Sequence, residues 1–224
     1  GEVADLIWPR IAATLELGGI ALLASLVLAT IFGVGSAMAR GRMIDGVLRV
    51  FVAVVSCIPP FVLGVVIIEF VVVRGGIGRV LSDGSFASAI LPAAVLTVGY
   101  SAVWQRPLRA IAVDVLDSPL VRTARARGAS WPTAIRAHVL PNVLLQFVPF
   151  IGIGFGSLLG STIVVEAVFS WNGIGPYASA AAFHRDLPVL QAVALLSVLS
   201  YRLSTELTRG VVWLLDPRRR SRVR

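Results

Sequence analysis

Thr14-Leu-Glu-Leu-Gly-Gly-Ile-Ala-Leu-Leu-Ala-Ser-Leu-Val-Leu-Ala-Thr-Ile-Phe-Gly-Val-Gly-Ser-Ala-Met-Ala39 carries no charge after Glu16 and ends at Arg40. A run of this length exceeds the roughly 20 apolar residues that cross a bilayer as a helix. Four similar stretches follow, at about 47–73, 87–112, 140–167 and 187–215. A transmembrane barrel would instead show short segments of alternating polarity. The pattern predicts an all-α, polytopic transmembrane bundle of five spans, a single domain over 1–224. The composition agrees: 57% of the 224 residues are hydrophobic and 14% are charged.

All 20 basic residues are arginine, giving a net charge of +8. Without lysine the chain has no P-loop, so it is not its own P-loop ATPase. Nucleic-acid binding is one source of such a charge, but the placement of the arginines gives a better one. Arg40, Arg42 and Arg49 flank the first connection. Arg106, Arg109, Arg122, Arg125, Arg127 and Arg136 flank the third, and Arg218, Arg219, Arg220, Arg222 and Arg224 fill the tail. The other face holds only Arg10, Arg74, Arg79 and Arg185. The positive-inside rule puts the crowded face, and the C-terminus, in the cytoplasm. Five spans then leave Gly1 outside. Gly1 in place of an initiator Met reads as a start part-way into a longer chain.

The third connection contains Leu120-Val-Arg-Thr-Ala-Arg-Ala-Arg-Gly-Ala-Ser-Trp-Pro132. A short helix should stop at Gly128 and a second restart after a Ser130 cap, with Pro132 in its first turn. Ala124 and Gly128, four apart, would share a helix face and let a partner approach. Arg122 and Arg125 could pair with that partner's carboxylates. The competing reading is a solvated basic loop on anionic lipid headgroups.

Other features are less specific. Pro59-Pro60 should kink the second span, beside a pathway or simply in packing. Gly152, Gly156 and Gly160 form a small-residue ridge, for an internal contact or a subunit interface. Glu69 and Glu166, near outer span ends, either face a cavity for cationic cargo or are satisfied by helix ends and water. Glu206 should pair with Arg202. Trp171, Gly173 and Gly175 lie in an outer segment, 168–186, that is either a lid or a plain loop, with Trp171 suited to the membrane interface. Cys57 reads as inert packing. His138 and His184 fall on opposite faces and cannot share a metal ion. Ser157 has no base on its span, which disfavours an intramembrane hydrolase.

Arg122-Thr-Ala-Arg-Ala-Arg-Gly-Ala129 with His138-Val-Leu-Pro-Asn142 resembles the EAA signature of binding-protein-dependent ABC-importer permeases, most closely the B-type of the peptide/nickel subfamily. Gly160-Ser-Thr-Ile-Val-Val-Glu-Ala-Val-Phe-Ser-Trp-Asn-Gly-Ile-Gly175, Arg185-Asp-Leu-Pro-Val-Leu-Gln191 and Leu214-Leu-Asp-Pro-Arg218 are similar to the same group. The general signature begins Glu-Ala-Ala, where this chain has Arg122, Thr123 and Ala124, as the B-type does. A first family span and a sizeable outer segment have no counterpart here.

The resemblance implies a coupling segment at about 118–140, with Arg122, Thr123, Ala124, Arg125, Ala126, Arg127, Gly128 and Ala129 seated on an ATPase. It implies a second permease subunit, two ATP-binding subunits that hold ATP and magnesium, and an extracytoplasmic substrate-binding protein. It places the chain in a bacterial or archaeal plasma membrane among lipid, with no nucleic acid, no cofactor or metal and no catalysis of its own. Pro59, Pro60, Glu69 and Glu166 become pathway candidates, and Trp171, Gly173 and Gly175 an outer gate. The implied cargo is a di- or oligopeptide, with nickel or another metal chelate, glutathione and haem as alternatives. A stand-alone channel or secondary transporter is the reading from another class; it calls for inverted repeats, and no clear repeat is present.

Overall fold

The computed structural model describes residues 2–76 and 85–215. Helices dominate throughout, in the order α1 (Glu2–Met38), α2 (Met43–Ser56), α3 (Pro60–Ile67, continued by a wide π-turn over Ile68–Val73), α4 (Phe86–Leu116), α5 (Pro119–Ala126), α6 (Trp131–Ala134), a second π-turn (Ile135–Val139), α7 (Leu140–Val168), α8 (Ile174–His184) and α9 (Leu187–Leu215). Four helical stretches are long and apolar enough to cross a membrane: Ile7–Met38, Phe86–Leu116, Trp131–Val168 and Leu187–Leu214. Counting α2 and α3 as one broken span makes five, so the predicted bundle stands, with α1 beginning before residue 14. Arg79 and the arginines of the tail lie outside the described residues.

The core is the α1–α4 pair, with α7 against it. Leu17, Ala21 and Ala29 of α1 and Val95, Leu96 and Leu108 of α4 are fully buried. Lipid offers no hydrophobic drive between helices, so small residues and close approach hold such a pair. Gly33 is a point of close approach: a Cβ there would sit 2.9 Å from Leu108 Cβ and 3.3 Å from the backbone of α4. Tyr100, Trp104 and Phe147 continue the α4–α7 seam edge to face, with ring centroids 6.0 Å apart at each step.

The Pro59-Pro60 kink is a bend of 91° between α2 and the α3 segment. Pro60 sits at the first turn of α3, where its missing N–H costs nothing, and its ring packs on Gly99. In contrast, Pro92 and Pro107 lie inside α4 without ending it.

The glycine ridge is an internal contact over two of its three positions. A Cβ on Gly152 would meet Thr208, and one on Gly156 would meet Tyr201, both on α9; Gly160 faces open space. Glu206 pairs forward with Arg209 at 2.8 Å, not back with Arg202. Both spacings place side chains on one helix face, and the i+3 rotamer is the one adopted.

Candidate functional site

The segment after α4 folds as a stapled elbow. Ser118 caps α5 with extended backbone, and Pro119 pre-sets the first turn. At the far end Gly128 takes φ +88°, a left-handed conformation that costs a residue with a Cβ about 1–2 kcal/mol. Its N–H donates to Arg125 O at 3.0 Å, and Ala129 N–H donates to Ala124 O at 3.1 Å. These two bonds are the Schellman closure of a helix end. Ser130 Oγ then accepts from Thr133 N–H and starts α6. Arg125 staples the corner: its Nη1 donates to Ala129 O at 2.7 Å, and its guanidinium lies 4.8 Å from the centre of the Trp131 ring. Val121, Ala134 and Val139 are buried and seat the elbow on the bundle.

Two expectations are corrected here. Ala124 and Gly128 do not share a helix face, because Gly128 has already left the helix, and Ala124 is half-buried. Arg125 is spent inside the elbow and does not point to a partner. Arg122 and Arg127 are exposed and make no ion pair among the described residues, and Thr123, Ala126 and Gly128 are exposed beside them. The rim available to a partner is therefore small residues flanked by two free cations.

Two turns before the end of α4 lies a charge cluster that the sequence pattern does not reveal. Asp45 of α2 is 2% exposed. It accepts from Ser36 Oγ of α1 at 2.6 Å, and from Arg109 of α4 through Nε at 2.9 Å and Nη2 at 2.7 Å. Arg49 stands 3.7 Å away, one turn along α2. A two-pronged arginine–carboxylate pair is both strong and directional. Three spans are thus tied at one point. Arg40 and Asp117 add a second, exposed tie at 2.7 Å between the ends of α1 and α4, and the guanidinium holds the Asp117 carboxyl below the usual carboxylate range. The i,i+4 spacing of Asp45 and Arg49 was visible in the sequence; Arg109, 64 positions away, was not. These contacts gather residues 36–49 and 106–136 at one end of the bundle, as the arginine count required.

The opposite end holds the candidates for gate and pathway. Residues 168–186 form a turn and then α8, neither a loose loop nor a span. Trp171 is 3% exposed, which corrects its interfacial placement: its Nε1 donates to Ala13 O at 3.1 Å, pinning the segment to α1. Glu166 is fully buried. Its Oε2 accepts from Gly175 N–H at 2.8 Å, while Thr14 Oγ1 accepts from Ile174 N–H at 2.9 Å. The Glu166 carboxyl and the Thr14 hydroxyl thus accept from two N–H groups at the first turn of α8. Glu166 is a helix-end partner. Glu69 pairs with Arg74 at 2.9 Å on its own element. Pro59 and Pro60 mark the bend.

Gly173 and Gly175 are required by this packing. A Cβ on Gly173 would strike the Glu166 carboxylate, and one on Gly175 the carbonyl of Ile163. Gly175→Ala should cost about 1–3 kcal/mol, the usual cost of overpacking, and expose α8 to protease in the purified chain. Gly160→Ala, which enters open space, should leave both unchanged or slightly improved. Equal behaviour of the two variants would remove the clamp from the account.

Comparison with known proteins follows the same architecture. The model of the family described as binding-protein-dependent transport system inner membrane component matches residues 29–221. The glutathione transport system permease protein GsiC of Escherichia coli (strain K12) is 37% identical over 203 residues, which is 89% of this chain and 65% of the relative. GsiC of Shigella flexneri serotype 5b shows the same identity and coverage. The chain thus spans 65% of the length of these curated relatives. The fold superposes on the MetNI methionine ABC transporter in an inward-facing form with a TM-score of 0.81, at 21% identity, covering 96% of this chain and 99% of that one. With a family model matching residues 29–221 and relatives 37% identical over 89% of its length, the chain belongs to the binding-protein-dependent transport system inner membrane components.

Proposed function

We propose that this chain is a membrane-spanning subunit of an ATP-driven importer. The observation that carries the reading is the elbow, which is short, closed at Gly128 and stapled by Arg125, and presents Arg122 and Arg127 outward. A loop meant only to join two spans needs none of this. Only Asp117 and Ser118 separate it from α4, and the π-turn over Ile135–Val139 joins it to α7 without a gap. A push delivered there moves two spans as levers, a rigid-body switch biased by whatever binds the elbow. The pushing partner is a pair of ATP-hydrolysing subunits, which bind ATP and magnesium. A second permease completes the membrane unit, and an extracytoplasmic binding protein presents the cargo. The elbow and the C-terminus face the cytoplasm.

The cargo class is a short peptide. Glutathione, the substrate named for the GsiC relatives, is itself peptide-like, and a metal chelate or haem is the next alternative. Proteoliposomes holding the chain with its partner permease and ATPases should take up peptide only when binding protein and hydrolysable ATP are both present. Uptake that persists without the ATPases would replace this reading by a channel or secondary transporter. Competition among a dipeptide, glutathione and a nickel chelate then ranks the cargo.

A further inference from the structure

Two cavities meet at Met38. The first, about 550 Å³, lies between the ends of α1 and α4 and the start of α6; Arg40, Arg42, Asp117 and Trp131 rim a floor that includes Met38 and Leu116. The second, about 530 Å³, is an almost wholly apolar groove between α1, from Leu26 to Met38, and the facing Ile135, Leu140 and Leu144. Leu26 to Met38 is about 18 Å of helix, close to the roughly 15 Å of hydrocarbon in one leaflet. Met38 and Leu116 are the last residues of two spans, so the polar cavity sits at headgroup depth and the groove runs inward from it. Trp131 is half exposed at that boundary, where indoles prefer to lie.

The charges select the occupant. Arg40 is held by Asp117 at 2.7 and 3.3 Å, whereas Arg42 makes no ion pair among the described residues. Two cations line the cavity against one carboxylate, and Arg122 also acts on that carboxylate from outside the lining, so the rim is net positive. A phosphodiester bearing one net negative charge meets it; a choline headgroup would set its own cation beside Arg42.

We propose that an anionic phospholipid of the leaflet on the arginine-rich side binds here, its phosphate against Arg42 and Arg40 and one acyl chain along the α1–α7 groove. Basic pockets between spans are a recurrent way to hold such headgroups. The site lies beside the elbow without using its outward rim, so it can stand or fall apart from the transport reading.

The test is a native mass-spectrometry titration of the full chain in detergent micelles with phosphatidylglycerol and phosphatidylcholine. Phosphatidylglycerol should bind at least about fivefold more tightly, and Arg42→Gln should erase about that factor, the worth of one basic residue at an anionic surface. Gly35 lies in the groove wall with nothing within 4 Å of its would-be Cβ. Gly35→Trp should therefore fill the groove and weaken both lipids alike, with helix content unchanged by circular dichroism. Equal affinity for the two lipids, or an Arg42→Gln variant that keeps the preference, overturns the proposal. So does loss of ATPase-subunit binding in Arg42→Gln with lipid binding intact, which would make the rim a protein contact.

Discussion

Arg109→Met should destabilise the bundle by about 3 kcal/mol. The substitution keeps most of the side-chain volume and removes the charge that neutralises Asp45, which is 2% exposed. A buried carboxylate stripped of its partner typically costs 3–5 kcal/mol; the lower end applies because Arg49 remains 3.7 Å away. The expected readout is a lower melting temperature of the purified chain in detergent. Asp45→Asn in the same background should restore much of the loss, since a neutral amide can keep the Ser36 contact without needing a cation. An unchanged melting temperature in Arg109→Met alone would show that the cluster does not hold α1, α2 and α4 together.

Reversing the two free charges of the elbow, Arg122→Glu with Arg127→Glu, should lower ATP-dependent uptake at least tenfold. Like charges set against each other across an interface cost several kcal/mol, and about 1.4 kcal/mol already amounts to a factor of ten in binding. Both are exposed and make no ion pair among the described residues, Arg122 adding only a through-space attraction to Asp117, while Val121 and Val139 are buried beneath the segment. Melting temperature and membrane insertion should therefore be unchanged. The measurements are ATPase co-purification and uptake in reconstituted vesicles. Normal co-purification and uptake would move the partner's seat elsewhere.

Much of this was legible in the residues. The spans follow from hydropathy alone, because a bilayer admits few architectures. The elbow's end and restart follow from local chemistry: Gly128, Ser130 and Pro132 act within a few bonds of themselves. What failed depended on distance or on depth. Trp171 has the composition of an interfacial residue, yet a hydrogen bond to Ala13, 158 positions earlier, draws it inward. Of the two readings open for Glu166, satisfaction by a helix end is the one realised, although that helix, α8, itself reads as a loop in the sequence. Arg125 looked free because a carbonyl four residues on and an indole six residues on are invisible to a charge count. The 91° bend was legible in kind, from two adjacent prolines, and illegible in size.

The wide turn over Ile135–Val139 has a consequence for how this chain can vary. It accommodates one more residue than an ordinary turn, and helical backbone runs unbroken from Trp131 to Val168. Each residue advances a helix by about 100°, so the surplus sets the rotational phase of everything beyond it. Losing one position from the turn would swing Phe147 away from Trp104, Ser161 from Tyr100 and Trp171 from Ala13 together. Length there is as constrained as any side chain, and sequence drift can change its letters but not their number.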